Sequence, residues 1–317
     1  QEARALLRPP AATADTTVND SRKTQATTTT PTDPRQAERD TFYAGESYQQ
    51  LRQRYAVSIE TTTIAGVTVE VFTPQKGIAP ENQHRVLINF HGGSFQTGSR
   101  TASHSESIPI AALGNIKVIS VDYRLYPEHQ YPAATDDAFA VYSALLQHHR
   151  PEQIGLFGSS AGAQLITQLL ARCQQHKQPL PAAIALIAEG ATQHNIGDSI
   201  AMAGAIICAK TDLPLQDIIQ MPYFDQADQN DPAVCPALSD KIMAAFPPTL
   251  LASSTRDLWL SPVVATHRQL LRLGVTAELH IWEGLEHCFH YHPLLPESLE
   301  LHRQVVQFFQ GYVVGEL

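Results

Sequence analysis

Short β-rich runs alternate with helical stretches along most of this chain, and that alternation leaves few folds open to it. Residues 67–72 alternate apolar and polar in the manner of a strand. RVLINF (85–90), KVISVDY (117–123), QIGLFG (153–158), AAIALIA (182–188), TLLAS (249–253) and AELHIW (277–282) are runs of strand length bounded by Gly, Pro or charge. Helical patterns fill the intervals at 133–148, 161–176, 262–273 and 298–312. Strand following helix in this way predicts an α/β fold with a mainly parallel central sheet flanked by helices on both faces. The 317 residues suffice for one large domain of that kind with an added cap.

Three segments stand outside the alternation. Residues 1–40, rich in Thr, Ala, Asp and Pro, lack apolar periodicity and are expected to form a flexible leader. Residues 41–60 carry Phe42, Tyr43, Tyr48, Leu51 and Tyr55 and are expected as an N-terminal helix contributing to a cap. Residues 191–247 hold an apolar stretch (200–209) and a turn-rich run (224–236) but no strand–helix unit, and are expected as a cap insertion above the sheet. That leaves 61–190 and 248–317 for the core.

Gly158-Ser159-Ser160-Ala161-Gly162 matches G-x-S-x-G and lies between a predicted strand and a predicted helix, the context in which such a turn exposes a nucleophilic serine. The turn is sharp, so the residues two positions either side of the nucleophile must be small. Ser160 meets that condition with Gly158 and Gly162, whereas Ser159 has Phe157 on one side. A chance match occurs in roughly one chain of this length in ten, so the placement carries the argument. Upstream, His91-Gly92-Gly93-Ser94-Phe95 follows RVLINF directly. A glycine-rich turn there can present bare peptide amides to a developing oxyanion. Alone it would read as an ordinary tight turn; with a nucleophile turn downstream it reads as an oxyanion loop. His91 is expected to pin this loop rather than move protons.

With these motifs in order, the chain resembles the hormone-sensitive-lipase-like esterases of the α/β hydrolases. HGGSF (91–95) is similar to that family's HGGGF-type loop, DYRLYPEHQYPAATDD (122–137) to its YRLAPEHPFPAALDD block, and GSSAG (158–162) to its GDSAG or GTSAG elbow. DPAVCP (231–236), RDLWL (256–260) and EHCFH (286–290) resemble its DP-x-x-SP, D-x-L and H-x-F segments. The likeness runs from about residue 65 to 312. It implies the α/β-hydrolase fold with a helical cap, and ester hydrolysis on short- to medium-chain substrates. It also implies oxyanion donors at the amides of Gly93, Ser94 and Ala161, with Gly92 shaping the turn. Ser94 stands where the family has a third glycine, and Glu189-Gly190 where it has Ser-Pro. The resemblance gives Arg124, Glu128, Asp136 and Asp137 a supporting role beneath the oxyanion loop through buried polar contacts.

A serine hydroxyl needs a base, and the base an orienting acid. In this fold they follow in the order Ser, Asp or Glu, His. Asp257 comes after the strand TLLAS and His287 after AELHIW, both just past a strand's C-terminal end, where open α/β sheets place their chemistry. His290 and His292 compete with His287 and are read as packing or surface residues. Glu283 and Glu286 are too near His287 in sequence to reach round its ring. Ser261-Pro262 reads as the cap of the following helix, which leaves Asp257 free for another task. The catalytic set is therefore Ser160, Asp257 and His287, with no metal and no cofactor.

The remaining features exclude more than they add. The net charge is −9 and Lys and Arg are scattered, so no nucleic-acid surface is expected. No apolar run reaches membrane-spanning length. The four cysteines form no CxxC pair and no disulfide framework. One bridge among them stays open; cysteines without an evident pairing lean towards the cytoplasm and the Thr-rich leader towards export. The expected partner is a small ester, with a homodimer left open. A lactonase or arylesterase would use the same machinery. A ligand receptor on this fold, as in the plant gibberellin receptors, lacks the catalytic histidine that His287 provides here.

Overall fold

The computed structural model describes residues 34–192, 196–211 and 219–315. Eight strands build one sheet: β1 (Val57–Ile64), β2 (Val67–Pro74), β3 (Val86–Phe90), β4 (Lys117–Val121), β5 (Ile154–Ser159), β6 (Ala183–Ile187), β7 (Thr249–Arg256) and β8 (Ala277–Glu286). Their spatial order is β1-β2-β4-β3-β5-β6-β7-β8. β1 and β2 form an antiparallel hairpin, β2 runs antiparallel to β4, and every later pair is parallel.

The helices are α1 (Pro34–Ala44), α2 (Glu46–Arg54), α3 (Ala102–Gly114), α4 (Ala133–Leu145), α5 (Ala161–Gln175), α6 (Ser199–Thr211), α7 (Asp240–Met243), α8 (Leu260–Arg272) and α9 (Pro296–Tyr312). Alternate strand residues feed two apolar layers. On one face Ile88, Leu156, Leu186 and Leu251 pack with α4, α5 and α8 through Val141, Leu165 and Leu270. On the other, Leu87, Phe157, Ala185 and Leu250 meet α3 and α9 through Ile108, Val305 and Phe309. Each large aliphatic or aromatic side chain so buried stabilises the fold by about 1.5–3 kcal/mol. β3, β5 and β6 are buried on both faces, which is why they appear in sequence as continuous apolar runs.

The sequence reading departs from the fold at four places. Residues 1–33 of the expected leader lie outside the described residues, but 34–40 belong to α1, whose Arg35 bonds to Gln96 O (2.9 Å) and Tyr126 O (2.6 Å) and pairs with Glu128. The expected helix over 41–60 is two helices and the start of a strand. β1 leaves no strand signal in the sequence because most of its side chains face solvent and no apolar alternation survives; its hairpin closes through Ala65 and Gly66, both at positive φ. α3 leaves no helical signal either. It begins with a run of buried polar residues and contains Pro109, so it shows no apolar stripe.

Strand order puts the chemistry in one place. From β3 the chain passes through α3 to β4 on one side, then returns to β5 on the other. The C-terminal ends of β3 and β5 therefore open a crevice at a topological switch point. Phe90 and Gly158 are register partners there, so the loop after β3 and the turn after β5 are neighbours by construction.

Candidate active site

Ser160 sits between β5 and α5 with φ 50° and ψ −121°, a conformation costing about 1–3 kcal/mol that surrounding structure must impose. The flanking glycines show what imposes it. A Cβ on Gly158 would lie 2.2 Å from Phe90 O, and one on Gly162 would lie 1.8 Å from the same oxygen. Strand β3 passes too close for any side chain at either position.

The structure brings Ser160, His287 and Asp257 into one hydrogen-bonded line. His287 Nε2 is 3.0 Å from Ser160 Oγ, and His287 Nδ1 is 2.8 Å from Asp257 Oδ1. Asp257 is buried, and its Oδ1 also accepts from Trp259 N–H (2.9 Å) while Oδ2 accepts from Ser253 Oγ (2.9 Å). A carboxylate can only accept, so Nδ1 carries the proton towards Asp257 and Nε2 is left as acceptor for the serine. Burial opposes the charged imidazole, but Cys288 and the Asp257 carboxylate outweigh it, and His287 is held well above its ordinary value. One detail differs from expectation. α8 opens at Leu260, and Asp257 itself accepts the amide of Trp259 at its start. Ser261 does not cap the helix; its hydroxyl accepts from Ser199 N–H (3.2 Å).

The loop after β3 lies against this line. His91 is fully buried, stacks on Tyr123 with centroids 4.3 Å apart, and donates from Nδ1 to Gly92 O (2.7 Å). Burial holds its imidazole below the ordinary value, which keeps it neutral. Gly93 has φ 119°, and a Cβ there would fall 2.3 Å from Thr97 O. Ser94 takes φ 54° despite its side chain. The Gly92 amide donates to Glu106 Oε1 (3.1 Å) and so points away from the crevice. The amides of Gly93 and Ser94 meet no backbone acceptor among the described residues. Ala161 opens α5, where the helix dipole favours negative charge.

The support of this loop is only partly what the sequence suggested. Tyr123 and Tyr126 brace it, through Tyr123 OH to His91 O (2.6 Å) and Tyr126 N–H to Phe95 O (2.8 Å). Arg124 and Asp137 pair with each other, Nη2 to Oδ1 at 2.8 Å, and brace their own block. Asp136 pairs with Arg172 and Glu128 with Arg35, both partly exposed, not buried. His290 is buried with its imidazole held well below the ordinary value by burial, a packing residue; exposed His292 lines a groove.

Sequence reasoning missed a buried polar cluster beneath these loops. Glu106 on α3 contacts Ser159, Tyr291, Asn89 and the Gly92 amide, and burial pushes its carboxyl up to about 7 against the pull of those hydrogen bonds. Only Asn89, a polar residue inside RVLINF, offered a signal. Beside the loop a groove of about 690 Å³ runs from Gly93 past Tyr291 and His292 to α1, where Ala37, Thr41 and Phe42 form its wall. Among the described residues, no group of three His, Cys, Asp or Glu could hold a metal ion, and no helix is long and apolar enough to cross a membrane.

A strained serine at the switch point of a doubly covered parallel sheet defines a hydrolase architecture, and known proteins agree. A family profile described as alpha/beta hydrolase fold matches residues 87–291. The chain is 30% identical over 261 residues to a carboxylesterase/phospholipase, LipF, of Mycobacterium tuberculosis, covering 79% of this chain and 68% of that one. It is 29% identical over 243 residues to an acetyl-hydrolase of Streptomyces hygroscopicus, covering 75% and 78%. The solved structure of an esterase, E25, superposes with a TM-score of 0.76 at 32% identity over 88% of this chain and 86% of that one. The chain belongs to the α/β-hydrolase-fold family. It is a hydrolase acting on ester bonds.

Proposed function

We propose that the protein is a serine carboxylesterase working through an acyl-enzyme, with Ser160 as nucleophile, His287 as base and Asp257 as orienting acid. The observation that carries this reading is the unbroken line from Ser160 Oγ through both ring nitrogens of His287 to the buried Asp257 carboxylate. Ser160 attacks the ester carbonyl as Nε2 takes its proton. The carbonyl oxygen becomes an oxyanion facing the amides of Gly93, Ser94 and Ala161, whose stabilisation is worth about 3 kcal/mol per donor in such sites. His287 then protonates the departing alkoxide, and water attacks the acyl-serine by the same route in reverse. Asp257 stabilises the transient imidazolium. No step calls for a metal or an organic cofactor.

The substrate we assign is a short- to medium-chain ester. The groove against α1 is of ligand size and walled by Ala37, Phe42 and Ala102, which suits an alkyl or aryl group. In this reading α1 and α2 roof the site together with residues of the 191–247 insertion, α6 among them.

The test is turnover of p-nitrophenyl acetate and butyrate, with labelling by a fluorophosphonate. Ser160→Ala is expected to lose the label and to lower kcat by about 10⁴ to 10⁶. Near-full turnover in that variant would end the proposal. A side-by-side panel of lactones, aryl esters and alkyl esters ranks the substrate classes, and a lactone or aryl preference would replace the alkyl-ester assignment.

A further inference from the structure

The steps proposed above leave the carboxyl beneath the site without a task. Glu106 is 1% exposed, and its hydrogen-bond partners are neutral. A buried carboxyl without a cation costs the fold several kcal/mol that an apolar side chain would not. Its contacts show what it holds. Oε1 accepts from three groups: Gly92 N–H at 3.1 Å, Ser159 Oγ at 2.7 Å and Tyr291 OH at 2.8 Å. Oε2 accepts from Asn89 Nδ2 at 2.6 Å, and Asn89 Oδ1 accepts in turn from Ser120 Oγ at 2.7 Å.

The three donors on Oε1 come from three separate segments at the ends of strands. Gly92 belongs to the glycine loop and adjoins Gly93. Ser159 immediately precedes Ser160. Tyr291 follows His287 by less than two turns of chain, with Cys288 between them placing its Sγ 3.8 Å from Ser159 Oγ. The packing has no slack, because a Cβ on Gly92 would lie 2.6 Å from Tyr291 OH and 3.0 Å from Ser159 Oγ.

We infer that Glu106 is a positioning residue for the ester hydrolysis proposed above: one carboxyl oxygen ties the oxyanion loop, the serine turn and the histidine loop together, so that the free amides and the Ser160–His287 pair meet the carbonyl in a single arrangement. This rests on the Ser160 reading. A displacement of about 1 Å among such groups costs about 10²-fold in rate.

Glu106→Gln is the test. The amide keeps the size, but the Gly92 N–H and the Asn89 NH₂, which can only donate, sit on opposite carboxyl oxygens, so one of them must face the new NH₂. With p-nitrophenyl butyrate, kcat is expected to fall about 10- to 100-fold while KM stays within about threefold. A trifluoromethyl ketone, whose adduct places an oxyanion at the same amides, is expected to weaken in step with kcat, not with KM. Ser159→Ala, which removes one donor without touching the groove wall, is expected to give the same pattern with a loss of about three- to tenfold. Unchanged kcat in folded Glu106→Gln overturns the inference. So does a rise in KM with kcat and inhibitor affinity kept. Should Glu106→Gln not fold, Ser159→Ala decides by the same criteria. Ser160→Ala run alongside separates the two proposals. Retained turnover there sinks the nucleophile assignment, whereas its loss, with Glu106→Gln and Ser159→Ala both unaffected, sinks the positioning role alone.

Discussion

Asp257→Asn tests how the imidazole is held, because the surroundings of Asp257 dictate which way an asparagine must face. Oδ1 of Asp257 accepts from His287 Nδ1 (2.8 Å) and from the Trp259 amide (2.9 Å), and Oδ2 accepts from Ser253 Oγ (2.9 Å). A backbone amide can only donate, so Trp259 requires an oxygen at the Oδ1 position. A hydroxyl can accept as well as donate, so Ser253 suits an NH₂ at the Oδ2 position. The asparagine therefore keeps a carbonyl towards Nδ1, and His287 keeps the tautomer whose Nε2 can take the serine's proton. What is lost is charge. At 2.8 Å and an effective dielectric of about 20, the carboxylate attracts the imidazolium by about 6 kcal/mol. A neutral acceptor keeps roughly half of a charge-assisted bond. The remaining loss of about 3 kcal/mol corresponds to about 10² in kcat. An asparagine turned the other way would enforce the wrong tautomer and cost about 10⁴. Steady-state kcat on p-nitrophenyl butyrate and ¹⁵N NMR of the His287 ring measure both quantities. The acid limb of kcat/KM is also expected to move to lower pH, since Asp257 is one of the groups holding His287 above its ordinary value. A 10⁴-fold loss, or a proton found on Nε2, refutes the orientation argument; a loss under about threefold refutes the role of Asp257 altogether.

Three further outcomes follow from the same geometry. Gly162→Ala places a Cβ 1.8 Å from Phe90 O and is expected to cost several kcal/mol, read as a large drop in Tm; a variant as stable as the parent would show that β3 and the turn are not in contact. Burial, with Arg54 adding to it, lowers His302 from 6.5 to about 3, so between those values the unfolded chain binds a proton that the native chain does not. Stability should be lost as pH drops through that window, by about 1.4 kcal/mol per unit, and His302→Gln should flatten the pH dependence of urea unfolding by that slope; an identical slope in the variant would count against it. Ala102→Trp, which fills the groove against α1, is expected to spare acetate and to lower kcat/KM for hexanoate at least tenfold; an equal effect on both esters would show that the acyl group lies elsewhere.

The legible parts of the molecule are those where one local rule governs. The central strands announce themselves because both faces are buried. Gly158 and Gly162 are readable because the turn's steric demand is local, and the same is true of the loop at Gly92 and Gly93. β1 was not readable, since an exposed edge strand of Ser, Glu and Thr carries no period that distinguishes it from a loop. Nor was the α1 boundary: α1 is tied down by Arg35 and Glu38 reaching groups far along the chain, Gln96 O, Tyr126 O and Thr101 Oγ1, and no residue near it in sequence reveals those partners.

α3 is the instructive failure. Its first half is Ser103, His104, Ser105, Glu106 and Ser107, all buried, so the helix shows neither an apolar stripe nor a polar face. Taken one at a time, those residues read as loop. Three of them are held by particular partners: His104 Nε2 meets Glu70 at 3.0 Å, Ser103 Oγ takes the Arg100 amide at 2.8 Å, and Glu106 takes donors from Gly92, Ser159 and Tyr291. A core selected for stability alone would fill this space with aliphatic side chains and gain by it. Local patterning fails here because burial serves to hold one spatial arrangement of three segments, and such places are where a fold accommodates function at the expense of its own regularity. The helix that composition could not reveal is the one lying directly beneath the glycine loop and the serine turn.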